Sequence, residues 1–116
     1  LSMRKTDKKI DNQLRLVLTE ACEIALKDIH GFQWLTHLVN YSNFPKSLKV
    51  VCVFDTNENL SCFMSQKTKT ELASLIQMKL HTVNIEVKNV EDHIFYDTEQ
   101  NCHKEHHGKW ASRLLH

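Results

Sequence analysis

The chain reads as an α+β domain, on three observations. The run Ser47-Leu48-Lys49-Val50-Val51-Cys52-Val53-Phe54-Asp55 is densely apolar and β-branched. It is too short for a helix with a face of its own and suits a buried central strand. Ile10, Leu14, Val17, Leu18, Ala21, Ile24 and Ala25 recur at helical spacing, as do Leu72, Leu75, Ile76 and Leu80. Short alternating runs lie on either side of the second helical stretch. Elements in this order place helices on one face of a mainly antiparallel sheet. The expected order is α-β-β-α-β-β-α, in a single domain over residues 3–116.

Each element has a local reason. Asp7 is the expected N-cap of the first helix, which should run from about Lys8 to Ile29. Gly31 follows as its C′ residue, and Lys27 and His30 lie where the helix dipole favours cations. Phe32 to Tyr41 reads as the first strand, with Trp34, Thr36 and Leu38 alternating with Leu35, His37 and Val39. Ser42-Asn43-Phe44-Pro45-Lys46 turns the chain into the second strand as an antiparallel hairpin.

Asp55 to Asn59 breaks that strand. Leu60, Cys62, Phe63 and Met64 then suit a helical turn over the sheet edge. Thr68-Lys69-Thr70-Glu71 has capping-box spacing and opens a helix to about Thr82. Val83, Ile85 and Val87 alternate with polar residues as a third strand, and Val90 to Tyr96 supplies a fourth. Asp97-Thr98 caps a short helix through about His107, closed by Gly108. Trp110, Leu114 and Leu115 form an apolar tail expected to dock on the core. Phe54-Asp55-Thr56 and Tyr96-Asp97-Thr98 end two strands alike, which reads as one capping solution used twice.

Composition narrows the function classes. The 116 residues are 41% hydrophobic and 25% charged, with two Gly and one Pro, as in a folded globular protein. A formal net charge of +1 gives the whole molecule no strong pull toward nucleic acid or membrane, so any such contact needs a local basic face. No apolar run approaches a membrane span and no signal-peptide core opens the chain. A cytoplasmic location without membrane contact is expected, and Leu1-Ser2 ahead of Met3 read as an expression scar. Cys22, Cys52, Cys62 and Cys102 form no CxxC and are expected as free thiols.

Four constellations could carry chemistry. Cys102, His103, His106 and His107 have i,i+3 and i,i+4 spacings that put sulfur and nitrogen donors on one helical face, suiting zinc. A solvated polar helix explains the same residues, and zinc is otherwise not required. Asp55 and Asp97 end two strands; if those strands are parallel neighbours, the carboxylates could share Mg²⁺ or a proton. Asp before a helix more simply caps it. Glu86-Val87-Lys88, with Asp55 upstream, has the acid-x-Lys form of a PD-(D/E)xK nuclease, in which acids hold Mg²⁺ and Lys steadies a water. Here a helix separates the two parts, and an edge strand with a polar face explains Glu86 and Lys88 equally well.

The fourth is a basic face. Arg4, Lys5, Lys8, Lys9 and Arg15 cluster at the start of the first helix, and Lys46 and Lys49 lie on the hairpin. Trp34, Tyr41 or Phe44 would supply stacking where exposed. Cations at a helix start oppose its dipole, which an anionic partner would offset. No GxSxG, P-loop, GxGxxG or HExxH occurs, and no residue presents itself as catalytic.

Two stretches, Arg4-Lys5-Thr6-Asp7-Lys8-Lys9-Ile10-Asp11 and Gly31 to Asp55, resemble a family of small uncharacterised bacterial proteins, some labelled Fis-type transcriptional regulators. The element order also resembles the N-terminal domain of the ribosome maturation factor RimP and, more loosely, KH-type folds. No GxxG occurs, so the RNA clamp of KH domains is not implied. Neither resemblance carries a functional residue over to this chain.

The expectation is a non-enzymatic binding module that contacts RNA, the ribosome or DNA through the basic helix start and hairpin. The alternatives are a protein-interaction module, most simply a homodimer, and a metal-dependent hydrolase.

Overall fold

A computed structural model describes residues 4–115. Its first element, α1 (Lys5–Asp28), buries Leu14, Val17, Leu18, Ala21 and Ala25 along one stripe. Each large apolar side chain on that stripe contributes about 1.5–3 kcal/mol on burial. Asp7 is not the N-cap: it lies in the first turn, where its charge favours the dipole, and Arg4 holds the cap position. Gly31 has φ +85°, the left-handed conformation that turns the chain into the sheet.

The strands are β1 (Phe32–Leu38), β2 (Lys49–Phe54) and β3 (Ile94–Thr98), in the order β1-β2-β3. β1 and β2 form the expected antiparallel hairpin, and β2 is central and buried from Val50 to Phe54. β3 pairs with β2 in parallel, Val50 opposite Ile94 and Phe54 opposite Thr98. The sheet is therefore mixed, where a mainly antiparallel one was expected.

The parallel pairing follows from the crossover. α2 (Asn57–Met64) and α3 (Thr68–His81) carry the chain back across the sheet before β3 begins. The patch at Leu60–Met64 is thus part of a full helix, with Phe63 buried against Phe54 and Tyr96.

The expected third strand does not form. Residues 83–89 are turn and coil. Asn84 takes φ +62°, and Ile85 is the one fully buried side chain of Val83, Ile85 and Val87. The alternation there reflects a connection pegged into the core by Ile85, without a ladder. Val90–His93 is a 3-10 turn, so the expected fourth strand begins only at Ile94.

α4 (Glu99–His106) is capped by Thr98, and His107 and Gly108 end it at φ +54° and +79°. α5 (Trp110–Leu114) follows. Val50, Cys52, Phe54 and Ile94 face the main core with α1 and α3. The other sheet face carries Trp34, Thr36, Val51, Val53, Phe95 and Asp97, by the strand register. α5 docks there, where helices on one face only were expected. Trp110 meets Trp34 edge to face at 4.9 Å, and Arg113 forks onto Asp97. Leu115 at the end of the tail stays exposed.

Both strand ends use the same cap. Thr56 and Thr98 each accept from the backbone N–H three residues on, while Asp55 and Asp97 accept from the N–H of their own Thr. The two caps are laced together. Thr98 donates to Asn57 Oδ1 at 2.6 Å, and Asn57 donates to Asn101 at 2.8 Å. The residues proposed as an expression scar lie outside the described residues.

Candidate nucleic-acid interface

The start of α1 sorts its charges by side. Its five cations stand beside two acids, Asp7 and Asp11, whose side chains are each only 14% exposed. Arg4 pairs with Asp7 at 3.2 Å and Arg15 with Asp11 at 3.0 Å. Such pairs near the surface contribute little stability, about 0–1 kcal/mol, but they account for both acids. Lys5, Lys8 and Lys9 are left on a shallow exposed surface with Asn12, Gln13 and Leu16. None of the three lysines has an ion pair among the described residues.

Asp11 also ties the hairpin connection to this helix. Tyr41 donates to its Oδ1 at 2.7 Å, and His37 Nε2 lies 3.0 Å from the same oxygen. The Tyr41 bond, then His37 and Arg15, hold the Asp11 carboxyl below the usual range against the opposing effect of burial. Burial and the Asp11 bond push the Tyr41 phenol up. Tyr41 packs on Phe44, so neither ring is free as a stacking platform.

Lys46 and Lys49 lie apart from the helix lysines. They line a groove of about 720 Å³ between the hairpin connection, residues 86–89 and the start of β3. Lys88 joins them there, as do His93 and Phe95. Phe95 is 45% exposed, with the Lys49 ammonium 5.5 Å from its ring centroid. Nothing in the residues around Phe95 marks it out. Its alternation within a strand was visible, but its exposure depends on α5 reaching only the far end of that sheet face. Trp34, expected with Tyr41 and Phe44 as a stacking aromatic, is taken by Trp110.

The proposed zinc ligands are not brought together. Cys102 points into the core with no exposed surface, and burial pushes its thiol up. His103 and His107 are exposed, and His106 Nδ1 lies 3.2 Å from Arg113. Among the described residues no three His, Cys, Asp or Glu side chains form a metal ligand set. The helical spacing was real, but the face it defines is divided between core and solvent.

Asp55 and Asp97 do end parallel neighbouring strands, yet they have separate partners: Asn59 and the Thr56 N–H for one, Arg113 and the Thr98 N–H for the other. The Asn59 bond holds Asp55 below its ordinary range. Glu86 and Lys88 lie in coil, and Glu86 is bonded to His81, so the acid-x-Lys pattern has no strand to stand on. No helix among the described residues is long and apolar enough to cross a membrane. Comparison with protein-family models, with curated proteins and with solved structures finds no match.

Proposed function

We propose that this protein is a binding module that takes a nucleic-acid backbone on the lysine side of α1 and on the hairpin connection. The candidates for that backbone are RNA, including ribosomal RNA, and DNA. One observation carries the reading. Both acids at the start of α1 are paired with arginines, while Lys5, Lys8 and Lys9 face solvent together. Lysines placed this way neutralise phosphates and set register without reading bases. Lys46 and Lys49 offer a second, separate basic contact in the groove beside the hairpin connection. The reading assigns no reaction to the protein.

The test is fluorescence anisotropy with labelled single-stranded RNA and duplex DNA in 50 and 200 mM salt. Five lysine–phosphate contacts on a single strand give a salt slope of about −3.5, or roughly a hundredfold weaker binding across that range. Exchanging Lys5, Lys8 and Lys9 for Glu removes at least three contacts and flattens the slope by about two. Salt-independent binding, or unchanged affinity in that triple variant, refutes the proposal.

A further inference from the structure

The groove beside β3 has the chemistry of a nucleotide site, and we infer that it holds an unstacked base of single-stranded RNA against Phe95. The inference rests on the proposed nucleic-acid reading and names the form of ligand. Phe95 is an aromatic ring on a sheet face, 45% exposed. A ring so placed offers a base its π-face, which every nucleobase can use. The Lys49 ammonium now lies 5.5 Å from that ring, on a four-carbon stem that reaches an adjacent phosphate as readily.

Charge in the groove favours a polyanion. Lys46, Lys49 and Lys88 line it. Of its two acids, Glu86 is bonded to His81, which leaves Asp92 against three lysines. The volume, about 720 Å³, lies in the range of small-ligand sites and accommodates a nucleotide. A duplex keeps its base faces stacked and cannot present one to Phe95. Asn43 and Asn89 also line the groove, and among the described residues neither side chain makes a hydrogen bond. They supply donors and acceptors for a ribose 2′-hydroxyl, the group that separates RNA from DNA.

The experiment uses the whole chain and a 12-nucleotide RNA carrying 2-aminopurine, whose fluorescence is quenched on stacking. The RNA duplex and the DNA strand of the same sequence serve as comparisons. The single-stranded RNA is expected to bind tightest, with a fluorescence change on binding. Phe95→Ala should weaken it about tenfold and abolish that change, and Phe95→Tyr should restore both. Phe95 is exposed, so these variants leave the core intact. A second variant, Lys46→Gln with Lys88→Gln, should flatten the salt slope by about 1.4 while leaving the stacking signal in place.

Duplex binding equal to single-strand binding, or a Phe95→Ala variant that binds and reports like the parent, overturns the groove assignment while the phosphate reading stands. Equal affinity for the DNA strand overturns the choice of RNA. No salt-dependent binding to any of the three overturns both.

Discussion

Replacing Arg113 by methionine keeps the aliphatic stem and removes the fork that fastens α5 to the sheet. Arg113 Nε lies 2.5 Å from Asp97 Oδ2, and Nη2 lies 3.0 Å from Oδ1. Glu105 adds a third contact at 2.7 Å. Together these raise the guanidinium's proton affinity further, the Asp97 bond foremost. Breaking a fully buried pair by removing one partner costs about 3–5 kcal/mol. The two side chains here keep 15% and 18% of their exposure, so water partly solvates the orphaned carboxylate. The expected loss is therefore about 2 kcal/mol, at the range for a charged hydrogen-bond partner. For a chain of this length that lowers Tm by about 8 °C.

The assay is urea unfolding followed by far-ultraviolet circular dichroism, with Trp110 emission read in a Trp34→Phe background. Trp110 packs on residue 34, so its emission should shift to the red as α5 loosens. Asp97→Asn added to Arg113→Met should recover part of the loss, because no unpaired charge then remains. An unchanged urea midpoint together with unchanged Trp110 emission refutes the clamp.

Asp11→Ala should cost about 1.5–3 kcal/mol, since Tyr41 and His37 lose a charged partner. Because the Asp11 carboxyl is held below 3.8, its contribution is full above that pH and fades as pH falls through the lowered folded value. The variant should therefore show a flatter loss of stability in acid, and its Tyr41 phenol should titrate closer to 10 by absorbance at 295 nm. Thiol labelling at pH 8 should have one fast phase, from exposed Cys62, which Cys62→Ser abolishes, and a slower one from half-buried Cys22, whose thiol burial pushes up. Cys52, pushed up to about 12 by burial, and buried Cys102 should react only on unfolding. Gly31→Ala should destabilise by more than the roughly 1–2 kcal/mol of a left-handed residue, because its Cβ would meet Asn59 Cβ at 2.7 Å. Denaturant midpoints check it, and a neutral outcome refutes the tight approach.

Much of the fold was legible because it is locally encoded. The stripe of α1, the hairpin around Pro45, the apolar spacing of α3 and the Thr98 cap each announce themselves within a few residues. The capping box expected at residues 68–71, by contrast, does not form: Lys67 holds the cap position with no side-chain bond. What was not legible depends on distant partners. Val83, Ile85 and Val87 alternate as a strand would, but residues 83–89 pair with no strand, and only Ile85 of the three is buried. The parallel sense of β3 follows from the path of α2 and α3 and leaves no trace in its own five residues. At the interface, the lysines could be read as a cluster. Their separation from Asp7 and Asp11, and the exposure of Phe95, could not. The Cys102–His107 pattern misled because helical spacing says which residues share a face and not what the face meets.

The parallel pairing of β3 also bears on how the chain reaches its native state. Val50 and Ile94 are roughly four times as far apart in sequence as Leu38 and Lys49, which close the hairpin. Two doublings of loop length add about 1.2 kcal/mol of closure entropy. The hairpin with α1 is thus the cheaper nucleus, and β3 with α4 and α5 completes the sheet late. Amide exchange should find the same order in reverse, with residues 94–114 opening below the free energy of global unfolding and taking the groove at Phe95 apart before the core.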